Sequence, residues 1–213
     1  TGPVSGHVWS IHVAADRRLW LGTANSGLVV YDGTNFASID TRDGLSGNSV
    51  MSICEAPGGG LWLGTLGGGI TRYQPAGRKP EVHFESVELA GRSCPKTADL
   101  PALTLGGRLT ANYRSLDLAT LPEKRQFLVR VSSLDPRSGG ERVRRTADTR
   151  FEWTPEEPGD YRLEVQAVDR DLNYSTPIRL ALRVVEPWFQ NAWITTPLAT
   201  GLLALIGSSA WLA

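Results

Sequence analysis

The sequence predicts an all-β chain: a partial β-propeller of two blades, then an immunoglobulin-like β-sandwich, then a C-terminal transmembrane helix. Three observations carry this. A period of 42 residues runs through positions 1–79, seven alternating segments occupy positions 80–187, and Asn191 to Ala213 holds no Asp, Glu, Lys or Arg.

The period is read by laying Val8-Trp9-Ser10-Ile11 over Val50-Met51-Ser52-Ile53. LWLGT at Leu19 to Thr23 then falls on LWLGT at Leu61 to Thr65, Gly27 on Gly69 and Tyr31 on Tyr73; eleven of 26 aligned positions are identical. A period of about 40 to 45 with short apolar pieces and glycine punctuation marks propeller blades, each a small sheet that cannot bury its faces alone. In each unit a first strand (Val8 to Ala14, Val50 to Ala56) leads through a turn to LWLGT and through a second turn to the segment ending at Tyr31 or Tyr73, and Phe36 to Asp40 supplies the outer strand. The runs Gly58 to Gly60 and Gly67 to Gly69 lack a following Lys-Ser/Thr and open no helix, so they read as turns rather than a phosphate cradle. Trp20 and Trp62 occupy equivalent positions. A repeated Trp on a strand is usually packing between blades; the alternative is a pair of stacking surfaces for a ligand such as a sugar.

The period ends after Tyr73, and Gln74 to Glu81 (QPAGRKPE) reads as a linker. The segments Val82 to Leu89, Arg108 to Leu118, Gln126 to Ser132, Arg142 to Arg145, Phe151 to Thr154, Asp160 to Asp169 and Ile178 to Val185 fit the strands of a sandwich. Tyr161, Leu163, Val165 and Ala167 alternate with Arg162, Glu164 and Gln166, as in a strand with one face in the core and one in water. From Ile194 onward 20 residues remain, about the length that spans a hydrocarbon core as a helix. Thr195 or Thr196 can cap it, Pro197 fits the first turn, and Trp188 and Trp193 suit the interfacial belt. The competing reading, a buried C-terminal helix, should carry a polar stripe that this segment lacks. Residues 188–213 are therefore read as juxtamembrane segment and truncated span.

The repeated LWLGT with Gly27 and Tyr31 or Gly69 and Tyr73, followed by DGLS at Asp43 to Ser46, resembles the two-component regulator propeller repeat. Pro122 to Pro136, Pro158 to Ser175 and Glu186 to Trp193 resemble the three-tyrosine (Y_Y_Y) domain that follows such propellers; Tyr161 matches one name-giving tyrosine, while Trp153 and Val129 stand at the other two. The resemblance implies further blades before Thr1 and the extracytoplasmic sensor region of a bacterial receptor, most often a sensor or hybrid histidine kinase. It also implies a carbohydrate or other small-molecule ligand on the propeller. Residues 1 to about 190 would face the periplasm on a single-pass inner-membrane protein, with a homodimer formed through sandwich and span. The signal-coupling junction would be Pro187, Trp188 and Trp193, where proline removes slack and the indoles set the depth of the helix in the bilayer.

Other chemistry is not signalled. Lys+Arg and Asp+Glu both number 22, so no field draws nucleic acid. Cys54 and Cys94 form no CxxC and have no ligand set beside them, and read as buried or idle thiols; His7, His12 and His83 are isolated. Asp169 and Asp171 read as hairpin residues rather than paired catalytic carboxylates, and Arg142, Arg144, Arg145 and Arg150 as a solvated strand face. No catalytic residue, metal or cofactor is expected. Two other outputs remain open, a diguanylate cyclase receptor with the same ectodomain and a membrane-anchored binding or adhesion protein.

Overall fold

The computed structural model describes residues 6–95, 100–135 and 140–187. Those residues form four β-sheets joined by turns, with two short 3-10 turns and no α-helix. The fold is all-β. No helix among the described residues is long and apolar enough to cross a membrane, and the segment read as a span, Asn191 to Ala213, lies outside them.

The first blade is an antiparallel meander of β1 (Val8–Val13), β2 (Leu19–Thr23), β3 (Leu28–Tyr31) and β4 (Phe36–Ile39). The second has β5 (Val50–Glu55), β6 (Leu61–Thr65) and β7 (Gly69–Tyr73). The repeat reaches down to backbone irregularities. Each first strand carries a bulge at its second residue, between Val8 and Ser10 and between Val50 and Ser52. Gly27 and Gly69 both have positive φ, and at Gly27 a Cβ would collide with the carbonyl oxygen of Ile39, so glycine is required there. The second blade stops at three strands. Where Phe-Ala-Ser of β4 should recur, 42 residues on, stand Arg78, Lys79 and Pro80. Two cations and a residue without an N–H make a poor outer strand.

The sandwich follows from β8 (Glu81–Leu89). Its members in chain order are β9 (Arg92–Cys94), β10 (Leu103–Thr104), β11 (Leu109–Leu116), β12 (Gln126–Ser133), β13 (Glu141–Thr146), β14 (Arg150–Trp153), β15 (Gly159–Val168) and β16 (Ile178–Val185). One sheet has the order β14-β11-β8-β9, the other β10-β16-β15-β12-β13. All seven expected strands are present within a few residues. The two unforeseen ones, β9 and β10, have three and two residues, too few to show alternation. Inward residues of both sheets build one core: Val87, Leu109, Ala111 and Tyr113 from one face Phe127, Val129, Leu163, Val165 and Leu180 from the other. Val129 is buried, and Trp153 and Tyr161 pack against that core with their two rings edge to face at 4.9 Å, so these three positions all point inward.

The arginine cluster is a solvated face. Arg142 pairs with Glu156, Arg144 with Asp148 and Arg150 with Glu152, all exposed. Both cysteines are free thiols, and Cys54 is exposed because it lies on the face of the second blade that no neighbouring sheet covers.

Candidate functional site

Equivalent residues of the two blades have unequal surroundings. Trp20 is 3% exposed and sits in a core with Leu28, Val30 and Ile39 of its own blade and Val50, Leu61, Leu63 and Tyr73 of the next. Its ring meets that of Tyr73 edge to face at 6.0 Å. Trp20 therefore packs between blades and presents no face for stacking. Trp62, on the corresponding face of the last blade, is 43% exposed, with the Arg72 guanidinium 5.8 Å from its ring centre and Met51 and Ile70 exposed as well. At the other end Ile11 and Val13 of β1 are exposed, although Ile53, the counterpart of Ile11, packs into the inter-blade core. Both outer faces of the pair are built like the buried inner ones. Of the proposed coupling residues, Pro187 is buried at the end of the described chain, while Trp188 and Trp193 lie outside the described residues.

The strongest constellation is where the sandwich meets the blades. It centres on the loop between β15 and β16, and the reading of Asp171 as ordinary hairpin material misses it. The loop is first a well-made turn: Asp169 Oδ1 accepts from the amides of Asp171 at 2.9 Å and Asn173 at 2.8 Å, and its Oδ2 from Asn173 Nδ2 at 2.8 Å. Burial raises the pKa of Asp169. The turn then presents Asp171, whose side chain accepts from the Tyr73 hydroxyl and, at 2.8 Å, from the amide of Ala76, while its carbonyl accepts from Arg18 Nη1 at 2.6 Å. Asn173 Nδ2 donates back to the Ala76 carbonyl at 2.6 Å. Burial, then the Asp171 charge, pushes the Tyr73 phenol far above its ordinary range, so it remains a donor.

Two further contacts flank this one. Tyr174 donates to Asp32 Oδ2 at 2.5 Å and accepts from Asn35 Nδ2. Burial and the bond to Asp32 push its phenol up to about 12. On the other side, Lys124 Nζ lies 2.9 Å from Asp40 Oδ2, donates to the Ser38 carbonyl at 3.2 Å and pairs with Asp43, whose fully buried carboxylate also meets Arg170 Nη1 at 3.4 Å. Arg42, then Lys124, hold the Asp40 carboxyl well below the usual carboxylate range against the opposing effect of burial. Asp40 and Asp43 belong to the connector between blades, where Asp40 caps the 3-10 turn Thr41–Asp43 ahead of Gly44. Sequence could have hinted at all this through Leu172, an apolar residue in the middle of a polar turn. Among the described residues no group of three or more His, Cys, Asp or Glu could hold a metal. The chemistry of this site is docking.

Residues 44–67 match the family described as Two component regulator propeller. The matched stretch of this propeller repeat runs from the cap of the 3-10 turn through β5 and β6 to the turn before β7. No protein of curated function matches the chain in sequence. Among solved structures, the chain is similar to the extracellular domain of BT3049 of B. thetaiotaomicron, described as a hybrid two component system, at 15% identity and a TM-score of 0.48, over 85% of this chain and 26% of that one. It is similar to the extracellular domain of BT4673 of the same organism at 20% identity and a TM-score of 0.39, over 85% of this chain and 25% of that one. The fibronectin(III)-like modules of Clostridium thermocellum CbhA match at 19% identity and a TM-score of 0.36, over 86% of this chain and 92% of theirs. The chain thus spans about a quarter of the length of the two B. thetaiotaomicron domains.

Proposed function

We propose that the chain is the sensing and signal-transmission region of a single-pass receptor of two-component type. It has three parts: two propeller blades (1–79), a three-tyrosine-like sandwich (80–187), and a juxtamembrane segment and span (188–213). The observation that carries this reading is the two-component regulator propeller match on the connector and second blade, in a chain that exposes Trp62 and Ile11 at positions whose repeat counterparts, Trp20 and Ile53, pack between blades. A carbohydrate or other small ligand would bind the complete propeller and favour one packing of two sandwich domains in a homodimer. Differential affinity for the two packings is required, since equal affinity shifts nothing. Pro187, Trp188 and Trp193 would pass the change to the helix pair and a cytoplasmic histidine kinase. Trp62 is the one repeated indole with an exposed face for a ligand, and a further blade competes for that face.

The test is to read the coding sequence past Ala213. Basic residues closing the helix, then a phosphoacceptor-histidine helix and an ATP-binding domain, are expected. A cyclase module would change the output but keep the receptor. A stop codon just after the span would refute signalling and leave an anchored binding protein.

A further inference from the structure

The loop between β15 and β16 is held by each blade separately. Leu172, 1% exposed, enters the inter-blade core with Trp20 and Leu28 of the first blade and Leu61, Leu63 and Tyr73 of the second. It does so at φ +57, the left-handed region that a branched side chain rarely adopts. Such a residue persists where its surroundings over-determine it, and here the surroundings are the two blades. Its neighbours divide their bonds in the same way. Asp171 binds Tyr73 of the second blade through its carboxylate and Arg18 of the first through its carbonyl, and Tyr174 binds Asp32 and Asn35 of the first. A change in the angle between the blades cannot preserve both sets unless the loop moves. The loop is also one end of β16, which leads without interruption from Ile178 to Val185 and on to Pro187. At about 3.3 Å per residue, β16 spans roughly 26 Å, paired with β15 from Ile178 to Val184 and with β10 at Val184 and Val185, so it cannot fold up to absorb a displacement at its end.

We infer that the Asp169–Ser175 loop is a wedge that converts the blade-to-blade angle into the orientation of the sandwich, with β16 as the rod carrying it towards Pro187. The linker Gln74 to Glu81 is then a tether and not the hinge. As a signal path this rests on the receptor reading above; as a joint it does not.

The experiment uses the full chain with Cys54→Ser and Cys94→Ser, and spin labels at Asn25→Cys on the first blade and Arg92→Cys on the sandwich, both exposed. Pulsed dipolar spectroscopy reads the distance between them. Leu172→Gly keeps a backbone at ease with positive φ and deletes only the wedge; the expected result is a distance distribution at least twice as wide. Asp171→Asn, nearly isosteric, loses one of the two acceptors shared by Tyr73 and Ala76 and should broaden it to a lesser degree, which preserves the test if the glycine variant fails to fold. Arg78→Gly with Lys79→Gly, both exposed and clear of Ala76, should leave the width unchanged. Broadening by the linker variant with none from Asp171→Asn would overturn the inference. No ligand or output is needed, so failure of the joint and failure of the receptor reading are told apart.

Discussion

Trp20 and Trp62 form an internal experiment, the same residue at the same repeat position with and without a neighbouring blade. Their exposures, 3% and 43%, differ by about two-fifths of the indole surface. For a side chain of roughly 250 Å², that is about 100 Å² more apolar area removed from water at Trp20. At about 25 cal/mol per Å² the difference amounts to about 2.5 kcal/mol. Trp20→Ala is therefore expected to destabilise the 213-residue chain by about 2.5 kcal/mol more than Trp62→Ala, with the cavity at Trp20 adding to the gap. Urea denaturation followed by far-ultraviolet circular dichroism measures both, and an unchanged m-value ensures that stability alone has moved. Equal losses would refute the claim that the second blade covers the first while its own equivalent face stays open. Appending a further blade after the pair's Trp62 face should raise the cost of Trp62→Ala towards that of Trp20→Ala.

Three more expectations concern the contacts between blades and sandwich. Asp43→Ala removes the fully buried carboxylate that Lys124 and Arg170 share but leaves Lys124 with Asp40 and the Ser38 carbonyl, so it should cost less than the about 3–5 kcal/mol of a fully stranded buried partner; a double-mutant cycle with Lys124→Met, by chemical denaturation, measures the Asp43–Lys124 coupling. Asp40, with its depressed pKa, contributes stability that is complete above about pH 4 and is lost as pH falls towards the folded value, so the melting-temperature gap between the native chain and Asp40→Asn should narrow in acid and not in base. Tyr174, pushed up to about 12, contributes stability present below about pH 10 and lost as pH rises through its folded value; Tyr174→Phe should flatten that alkaline decline, which melts between pH 9 and 12 would show.

The fold was legible where the chain repeats itself or alternates. LWLGT recurs at an interval of 42 and marks β2 and β6, and Tyr161 to Ala167 alternates cleanly along β15 because one face of that strand is dry. What stayed hidden depends on contacts between parts remote in sequence. Trp20 and Trp62 look alike in the sequence, and only the neighbouring sheet decides that one is buried. Asp171 is 98 residues from Tyr73, and Lys124 is 81 from Asp43. No local pattern relates such pairs, and a turn-forming Asp has the same local signature whether it faces water or a phenol. β10 was invisible for a related reason: its two residues become a strand only through parallel pairing with Val184 and Val185.

The central claim is that blades and sandwich stand outside the cytoplasm on a membrane-anchored receptor, and side-directed labelling tests it most directly. Leu118 is fully exposed, so Leu118→Cys with Cys54→Ser and Cys94→Ser offers one accessible thiol. A membrane-impermeant maleimide added to cells with a permeabilised outer membrane should label the membrane-fraction protein as fully before lysis as after it. Labelling that appears only once the inner membrane is broken would contradict the claim.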